Sequence, residues 1–286
     1  MVKVFLTLLI FFGSCLSADE LMDAVKSDER DLNNIARDIY RNPYETLSFF
    51  KITPSMTVVE LSPGGGWYTE ILASFLNKSG FLIAAHFSRN SSNNYLKRSR
   101  INFENKINAN PIYKNIEIVD LYSPLAEPNS VDAVLTFRNL HNWLGSPMDK
   151  IFSNSFKALK PGGIFGVVEH RAAEGTSIEA MKKSGYVTEE HAIEIAKKHG
   201  FELVSRAEIN ANPKDLKDYP KGVWTLPPSL RLKEENKDKY LTIGESDRMT
   251  LLFKNQKFNY FISYELENSE NIFIILICKN RNNLDY

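Results

Sequence analysis

The sequence has little cysteine and no recognisable metal-binding pattern. Its 286 residues include two cysteines, Cys15 and Cys278, and no Cys-x-x-Cys pair or zinc-finger spacing occurs. The five histidines are scattered along the chain. A dedicated metal site needs several ligands held together, so we predict none. We also expect no disulfide within the mature chain, because Cys15 lies in a segment that we expect to be removed.

The sequence also lacks an excess of either charge. Lysine and arginine together number 35, aspartate and glutamate together number 35, and the formal net charge is zero. Electrostatic binding to nucleic acid depends on a surplus of positive charge that neutralises phosphates. We therefore expect no nucleic-acid partner and predict a small-molecule partner instead.

The N-terminal apolar run from Val4 to Phe12 is too short for a permanent membrane span. It follows a short basic start and precedes small residues, which is the pattern of a secretory signal peptide over residues 1–18. We expect cleavage after Ser17 or Ala18, export to the periplasm and no membrane span in the mature chain. Two alternatives stay open: a lipoprotein anchored through Cys15, and an apolar N-terminal helix that is never cleaved.

The most informative stretch for function is TVVELSPGGGWYTEILASFL, residues 57–76. Its apolar, β-branched start predicts a buried strand to Leu61, three glycines follow at Gly64 to Gly66, and apolar residues then recur at helical spacing from Tyr68. Strand, glycine turn and helix form the opening unit of a nucleotide-binding α/β sheet, where the backbone turns tightly beside a ligand. Glu60 near the end of the strand suits an amino group or ribose hydroxyls better than a phosphate.

Strands and helices alternate along the rest of the chain. Further strands are predicted at Phe81–Phe87, Asn115–Leu121, Val131–Phe137, Ile164–Glu169, Phe201–Ile209 and Arg248–Lys254. This alternation predicts an α/β fold, a Rossmann-like sandwich with a seven-stranded, mostly parallel sheet and helices on both faces. We expect one domain over residues 19–255, in which 19–52 form an N-terminal helical cap. Residues 256–286 read as a C-terminal extension that forms a β-hairpin.

Ordered sequence blocks add a family resemblance. The blocks are RNPYETLSFF (41–50), VVELSPGGGWYTEIL (58–72), FRNLHNW (137–143), LKPGGIFGVVEHRA (159–172), GYVTEE (185–190) and GESDRMTLLF (244–253). With them the chain resembles the class I S-adenosylmethionine-dependent methyltransferases, and among these a family of predicted bacterial methyltransferases that often carry signal peptides. The resemblance implies the methyltransferase sandwich fold, S-adenosyl-L-methionine as cofactor, and methyl transfer to an acceptor that we expect to be a small molecule.

The resemblance also implies roles for residues at the strand ends. The implied cofactor-binding residues are Glu60, Ser62, Pro63, Gly64, Gly65, Gly66, His86, Asp120, Leu121 and Asn139. Glu60 and the loop would hold the amino-acid and ribose parts of the cofactor, and Asp120 with Leu121 would meet the adenine. The chain departs from the family pattern twice. Ser62 replaces the first loop glycine, and His86 stands where an acid usually binds the ribose hydroxyls.

The catalytic candidates, Asn139, His141 and His170, follow or end the fourth and fifth strands. Methyl transfer mainly requires proximity, orientation and a desolvated pocket, and a base is needed only when the acceptor must lose a proton. His141 is the candidate base because the usual pKa of histidine lies near neutrality, and a loop-orienting role is its alternative. Asn139 either accepts a hydrogen bond from an amine acceptor or caps the next turn. His170 either serves the site or belongs to an internal ion pair with Glu169 and Arg171.

Some neighbouring residues are interpreted as structural. Asp247 and Arg248 open the last strand and are assigned to the fold. Three tryptophans, Trp67, Trp143 and Trp224, either wall an acceptor pocket or belong to the core.

Two other functions compete with methyl transfer. A dinucleotide-dependent oxidoreductase normally has the spacing Gly-x-Gly-x-x-Gly and an acid at the end of the second strand, and the sequence has neither. An exported, non-catalytic small-molecule-binding protein on a methyltransferase fold is the stronger alternative, because export would separate the chain from a cofactor kept in the cytoplasm.

Overall fold

Seven strands form the main sheet of the computed structural model, which describes residues 19–256, 260–267 and 271–278. The strands are β1 (Thr57–Leu61), β2 (Phe81–His86), β3 (Ile116–Asp120), β4 (Val131–Phe137), β5 (Leu159–His170), β6 (Phe201–Ala207) and β7 (Arg248–Asn255). Their order in the sheet is β3-β2-β1-β4-β5-β7-β6. The first five strands are parallel to one another, whereas β7 is antiparallel to both β5 and β6. The predicted seven-stranded, mostly parallel sheet is therefore confirmed.

Helices connect the strands. They are α1 (Leu32–Ile35), α2 (Asp38–Arg41), α3 (Pro43–Phe49), α4 (Trp67–Leu76), α5 (Asn94–Ala109), α6 (Leu140–Trp143), α7 (Ser146–Ala158), α8 (Ile178–Ser184), α9 (Glu189–Lys198) and α10 (Lys237–Ile243). Residues 19–25 are also helical, and 3₁₀ turns lie at Pro111–Tyr113 and Gly222–Thr225. The short α8 and α10 were not predicted, because each offers too few residues for a helical period to stand out.

Each face of the sheet has its own hydrophobic core. Successive side chains of a strand point to opposite faces, so Val59 and Leu61 pack in one core and Val58 packs in the other. Helices α6 to α9 contribute to the first core, and α3 to α5 contribute to the second. This burial on both faces explains why β1 reads as a continuous apolar run.

The start of β5 differs from the prediction. The strand begins at Leu159, not at Ile164, because Leu159 already pairs with Val131. The register then shifts, and Ile164 pairs with Ala133. The Lys-Pro-Gly-Gly segment, residues 160–163, precedes the predicted strand but lies within the observed one, at this irregularity.

The antiparallel β7 brings its first residue to the edge where the parallel strands end. His170, the last residue of β5, pairs with Arg248, the first residue of β7. Ser62 follows β1 and Asn139 comes two residues after β4, at the same edge. Ligands of open α/β sheets bind at this edge.

Beyond the main sheet, β8 (Tyr260–Glu267) and β9 (Asn271–Cys278) pair with each other as an antiparallel, two-stranded sheet. The expected signal peptide over residues 1–18, with Cys15, lies outside the described residues, and the predicted domain division stays a prediction. Within the described part of the chain, none of the helices has both the length and the apolar character that crossing a membrane requires.

Candidate active site

A cavity of about 500 Å³ opens at the carboxyl edge of the sheet. Three groups of residues line it: the glycine loop, the residues that follow β4 and end β5, and a set of arginines. From the predicted site, the cavity gathers Ser62, Pro63, Gly64, Gly65, Asn139, His141 and His170. A second cavity, of about 380 Å³, runs along α5 and meets the first at Gly64, Gly65 and Tyr95.

Gly65 and Gly66 are glycines for different reasons. Gly66 has a φ of +82°, and a Cβ added to it would lie 3.2 Å from the ring of Phe103. Gly65 has a negative φ, and a Cβ added to it would meet no atom of the described chain within 4 Å. The fold itself therefore requires glycine at position 66 but not at position 65, where an added side chain would only fill the space in front of the loop.

The rest of the loop is bonded to Asn139 and presents polar groups that have no partner among the described residues. Ser62 adopts a left-handed φ of +49°, which glycine favours, and its buried Oγ has no hydrogen-bond partner among the described residues. The Nδ2 of Asn139 donates to the carbonyl oxygens of Leu61 and Ser62, at 3.2 and 3.3 Å, and so ties the residues after β4 to the loop. Helix α4 then begins without a side-chain cap, so its first N–H groups are left for a ligand or water.

Glu60 lies beneath the loop. Its carboxylate accepts a hydrogen bond from the Oγ1 of Thr69 at 2.6 Å and borders a small space of about 20 Å³ next to Ser62 and Asn139. Burial raises the pKa of Glu60 to about 7, and the hydrogen bond from Thr69 opposes this rise. The carboxyl group is thus close to half ionised at neutral pH.

His86 is fully engaged by the protein. The backbone N–H of Phe87 donates to Nδ1 at 2.7 Å, so Nε2 carries the proton and donates to the carbonyl oxygen of Gly64 at 3.2 Å. Burial lowers the pKa of His86 to about 4, which keeps the ring neutral. The side chain supports the glycine loop and leaves no ring nitrogen for ribose hydroxyls.

Asp120 and Leu121 do not line the two cavities described above. Leu121 is buried in the core, and its N–H donates to the carbonyl oxygen of His86 at 2.7 Å. Arg100 bridges the ends of β2 and β3, since its Nη1 donates to the Phe87 carbonyl at 3.0 Å and to Asp120 Oδ1 at 3.3 Å. An adenine contact at these two residues stays a prediction.

His141 is oriented by a buried glutamate. Glu169 ends β5 next to His170, and its Oε1 lies 3.0 Å from the Nδ1 of His141. A carboxylate can only accept, so Nδ1 carries the proton and Nε2 is left with a free lone pair on the cavity side. Glu169 is held in turn, because the peptide N–H groups of Leu140 and His170 donate to its two oxygens. This arrangement is the one that a positioned general base requires.

His170 stays neutral beside this pair. Its Nδ1 contacts the hydroxyl of Ser246, and its ring lies 5.3 Å from that of His141. Burial, followed by the proximity of His141 and of the arginines, lowers the pKa of His170 well below its ordinary value. A second neutral imidazole therefore lines the cavity, able to exchange hydrogen bonds but not to contribute charge.

His141, Glu169 and His170 also have the spacing of a metal site. Each offers a potential ligand atom within 4.8 Å of the other two, and this is the one such group in the described part of the chain. Two features disfavour a cation there. Both oxygens of Glu169 already accept hydrogen bonds from peptide N–H groups, and the positive arginines act electrostatically on His170.

The third part of the lining, which we term the arginine cluster, consists of Arg37, Arg41, Arg138 and Arg248. All four surround Glu245: the Nε of Arg37 lies 2.6 Å from Oε1, the Nε of Arg41 3.3 Å from Oε2, the Nη1 of Arg138 3.7 Å from Oε2, and Arg248 also contacts Oε2. Among the described residues that line the cavity, Glu245 carries the one carboxylate.

The pKa values of the cluster reflect the excess of four guanidinium groups over one carboxylate. Burial raises the pKa of Glu245, but the four arginines together outweigh it and hold the pKa at about 2. Burial and then repulsion from Arg248 lower the pKa of Arg138 to about 10, and burial and then repulsion from Arg138 lower that of Arg41. Among the described residues, the four guanidinium groups thus share one carboxylate as their ion-pair partner within this cluster.

Most of this cluster was not predicted from the sequence. Arg37, Arg41 and Arg138 were given no role, and Arg248 was assigned to the fold alone. Arg248 reaches the ligand edge because β7 runs antiparallel to β5, and the sequence did not indicate this direction. Of the three tryptophans, Trp67 and Trp224 line the cavity, and Trp143 is buried in a core.

Residues 59–167 match a sequence family described as a methyltransferase domain. This range begins in β1, includes the glycine loop and ends within β5. The match supports the predicted class of protein, a methyltransferase. No curated protein matches the chain.

Solved structures with a similar fold include a S-adenosylmethionine-dependent methyltransferase from Aquifex aeolicus, with a TM-score of 0.53, 15% identity, and coverage of 81% of this chain and 96% of that one. A geranyl diphosphate methyltransferase in complex with S-adenosylmethionine has a TM-score of 0.51, 12% identity, and coverage of 82% and 94%. The cyclase SpnF has a TM-score of 0.54, 13% identity, and coverage of 85% and 94%. Identities this low establish the methyltransferase fold, as predicted, and the cyclase illustrates that one fold can serve several reactions.

Proposed function

We propose that the chain is a methyltransferase that takes the methyl group of S-adenosyl-L-methionine and transfers it to a small-molecule acceptor. The observation that carries the proposal is Gly65. The fold does not require a glycine there, and the space before its Cα is open to the cavity, as a loop that lets a ligand approach closely would require. The family match over residues 59–167 supports the same reading.

The residues of the loop fit the amino-acid and ribose parts of this cofactor. The uncapped start of α4, the unpartnered Oγ of Ser62 and the carboxyl group of Glu60 provide donors and acceptors around Gly65. When bound, S-adenosylmethionine supplies an electrophilic methyl group on a sulfonium. Asn139 would hold the loop against the residues after β4, because its Nδ2 already donates to both Leu61 and Ser62.

The chain's own chemical contribution is a positioned base. The Nε2 of His141 would accept the proton of an acceptor hydroxyl or amine, while Glu169 holds the ring and stabilises the imidazolium that forms. His170 would remain neutral and shape the cavity. Trp224, whose ring lies 5.9 Å from that of His141, would exclude water from this side.

Two glycine substitutions test the cofactor assignment. We expect Gly65→Ala to unfold at the wild-type temperature and to lose at least tenfold in affinity for S-adenosylhomocysteine, because the methyl group fills ligand space. Gly66→Ala should instead lower stability, by about 1–2 kcal/mol, because its left-handed φ disfavours alanine. Calorimetric titration and thermal unfolding give both quantities. Wild-type affinity in Gly65→Ala, or no binding to the wild type, would overturn the assignment.

The second candidate is a small-molecule-binding protein without methyl transfer. It is favoured by the ends of β2 and β3, where His86 is bonded to Gly64 and Phe87, and Asp120 is bonded to Arg100. His86 therefore has no ring nitrogen left for a ribose, and one carboxylate oxygen of Asp120 is engaged by Arg100. Failure of the wild type to bind S-adenosylmethionine or S-adenosylhomocysteine would favour this candidate.

We also propose that the chain is exported through the segment 1–18 and acts in the periplasm. The short apolar run after a basic start supports this proposal. In a bacterial host, fractionation should place the protein in the periplasm, and N-terminal sequencing should find a start at Ala18 or Asp19. A cytoplasmic protein that retains Met1 would contradict it.

A further inference from the structure

The arginine cluster is the feature of the cavity that the proposed function leaves unused. It brings four guanidinium groups to one carboxylate in a wall that is partly buried. Buried charges are normally paired, because an unpaired one costs several kcal/mol of desolvation. Such an excess at a ligand cavity indicates that a further negative charge belongs there.

Three arginines of the cluster also have hydrogen-bond donors without a partner among the described residues. Arg41 is 3% exposed and lines the cavity, and its Nη1 has no partner among the described residues. The Nη2 of Arg37 and the Nε of Arg248 are likewise without a partner there. Guanidinium groups bind carboxylates and phosphates through paired N–H groups, so three unpaired nitrogens on three neighbouring arginines suit one oxyanion.

The amino-acid end of the cofactor is the first possible source of this charge. Its carboxylate carries one negative charge, but it is accompanied by an α-ammonium group, which the same arginines would repel. The cofactor alone therefore accounts poorly for a cluster of four arginines.

The surroundings of the cluster indicate the acceptor instead. Arg248 pairs with His170 across β5 and β7, and His170 lies beside the candidate base His141. Trp224 and the Pro227–Pro228 pair line the same cavity as an apolar surface. Base, aromatic ring and guanidinium groups would thus contact three parts of one molecule.

We propose, on the basis of the proposed function, that the methyl acceptor is a small anion whose carboxylate or phosphate group is bound by Arg37, Arg41, Arg138 and Arg248. The acceptor's apolar body lies against Trp224, and the atom that receives the methyl group lies near His141. The cluster thereby selects anionic over neutral acceptors of the same shape.

The test uses the full-length protein saturated with S-adenosylhomocysteine, in a buffer free of other oxyanions. Benzoate and inorganic phosphate are titrated as anionic probes, and benzamide serves as the uncharged match of benzoate. We expect benzoate and phosphate to bind and benzamide to bind at least tenfold more weakly than benzoate. Equal binding of benzoate and benzamide, or binding of neither anion, would overturn the proposal.

Two arginine variants assign the binding to the cluster. Arg37→Gln, at a side chain that is 24% exposed, should weaken benzoate at least tenfold and leave the affinity for S-adenosylhomocysteine within twofold. Arg206→Gln, an exposed arginine that pairs with Glu189 outside the cavity, should change neither. A far-ultraviolet circular dichroism spectrum and a melting curve identify a variant that fails to fold, and Arg138→Gln, at 21% exposure, then replaces Arg37→Gln.

The affinity for the cofactor product separates the remaining outcomes. If Arg37→Gln weakens S-adenosylhomocysteine tenfold but leaves methylthioadenosine, which has no carboxylate, unchanged, the cluster binds the cofactor and the acceptor assignment is wrong. If the wild type binds S-adenosylhomocysteine but no anion, the acceptor assignment fails and the proposed function stands. If the wild type binds no S-adenosylhomocysteine, the proposed function fails, and the acceptor assignment fails with it.

Discussion

The glycine loop and the arginine cluster line the same cavity but are built in opposite ways. The loop is one continuous segment, residues 62–66, without a charged side chain. The cluster joins residues from α2 and its flank, from the turn after β4, and from the start of β7, and every one of its side chains is an arginine. The loop is supported by hydrogen bonds that the side chains of His86 and Asn139 donate to the carbonyl oxygens of Gly64 and Ser62. The cluster, in contrast, is held around the carboxylate of Glu245.

This difference separates two kinds of function within one site. A continuous, uncharged loop fixes backbone groups and suits a ligand whose shape is constant, such as a cofactor. A cluster of arginine side chains instead offers charge and paired N–H donors, and so suits a ligand that carries a particular anionic group. The shared cavity would therefore bind the cofactor at the glycine loop and select the second ligand at the arginine cluster.

Glu245→Gln should have the largest effect on stability, because it removes the one carboxylate that pairs with the cluster in the described part of the chain. Glu245 is 2% exposed, and its charge is in contact with four guanidinium groups. Loss of one partner from a buried ionic group leaves uncompensated charge, so we expect the free energy of unfolding to fall by about 3–5 kcal/mol at pH 7. Urea denaturation measures this change.

Glu208→Gln is the matched control. Glu208 also pairs with an arginine, Arg171, at 2.7 Å, but its side chain is 66% exposed. An exposed pair contributes little, so the expected loss is below about 1 kcal/mol. Equal losses in the two variants would mean that the cluster does not depend on Glu245, and the contrast between the two halves of the cavity would disappear.

The loop half of the cavity, meaning the glycine loop and the residues that support it, could be predicted from the sequence. The residues that identify the loop are adjacent in the chain. A β-branched strand, three glycines and a helical period stand next to one another, and the alternation of later strands identified the sheet. The placement of Asn139, His141 and His170 on the same cavity followed from the rule that parallel strands end at one edge.

The cluster half could not be predicted in the same way, because its members are up to 211 positions apart and share no local pattern. Arg248 reaches the cavity through the pairing of β7 with β5, which requires knowledge of the strand order, and it meets Arg37 at Glu245. The hydrogen-bond partners of His86 could not be predicted from the sequence either. Sequence identifies the residue at the end of β2, but only its surroundings decide that it bonds to Gly64 and not to a ligand.

The loop half should respond to pH near neutrality, with a smaller effect than the loss of Glu245. The ordinary pKa of a glutamate is about 4.5, and the pKa of Glu60 is raised to about 7, so the folded state binds more protons between these values. The stability that Glu60 contributes is therefore present below pH 4.5 and is lost as the pH rises through 7. Glu60→Gln removes this loss, so its stability relative to wild type should increase by about 2–3 kcal/mol from pH 4.5 to pH 8.

The stability of His86→Asn relative to wild type should change with pH in the opposite direction to that of Glu60→Gln. The two variants therefore test the residues that support the glycine loop. Burial lowers the pKa of His86 from 6.5 to about 4, so its stability is present above pH 6.5 and is lost as the pH falls through 4. Relative to wild type, the asparagine variant should therefore gain stability on acidification, by about 2–3 kcal/mol, whatever constant loss its missing hydrogen bonds cause. Urea denaturation at several pH values gives both difference curves. If neither difference in stability changes with pH, neither Glu60 nor His86 titrates as its environment requires, and the predicted pH response of this part of the cavity is wrong.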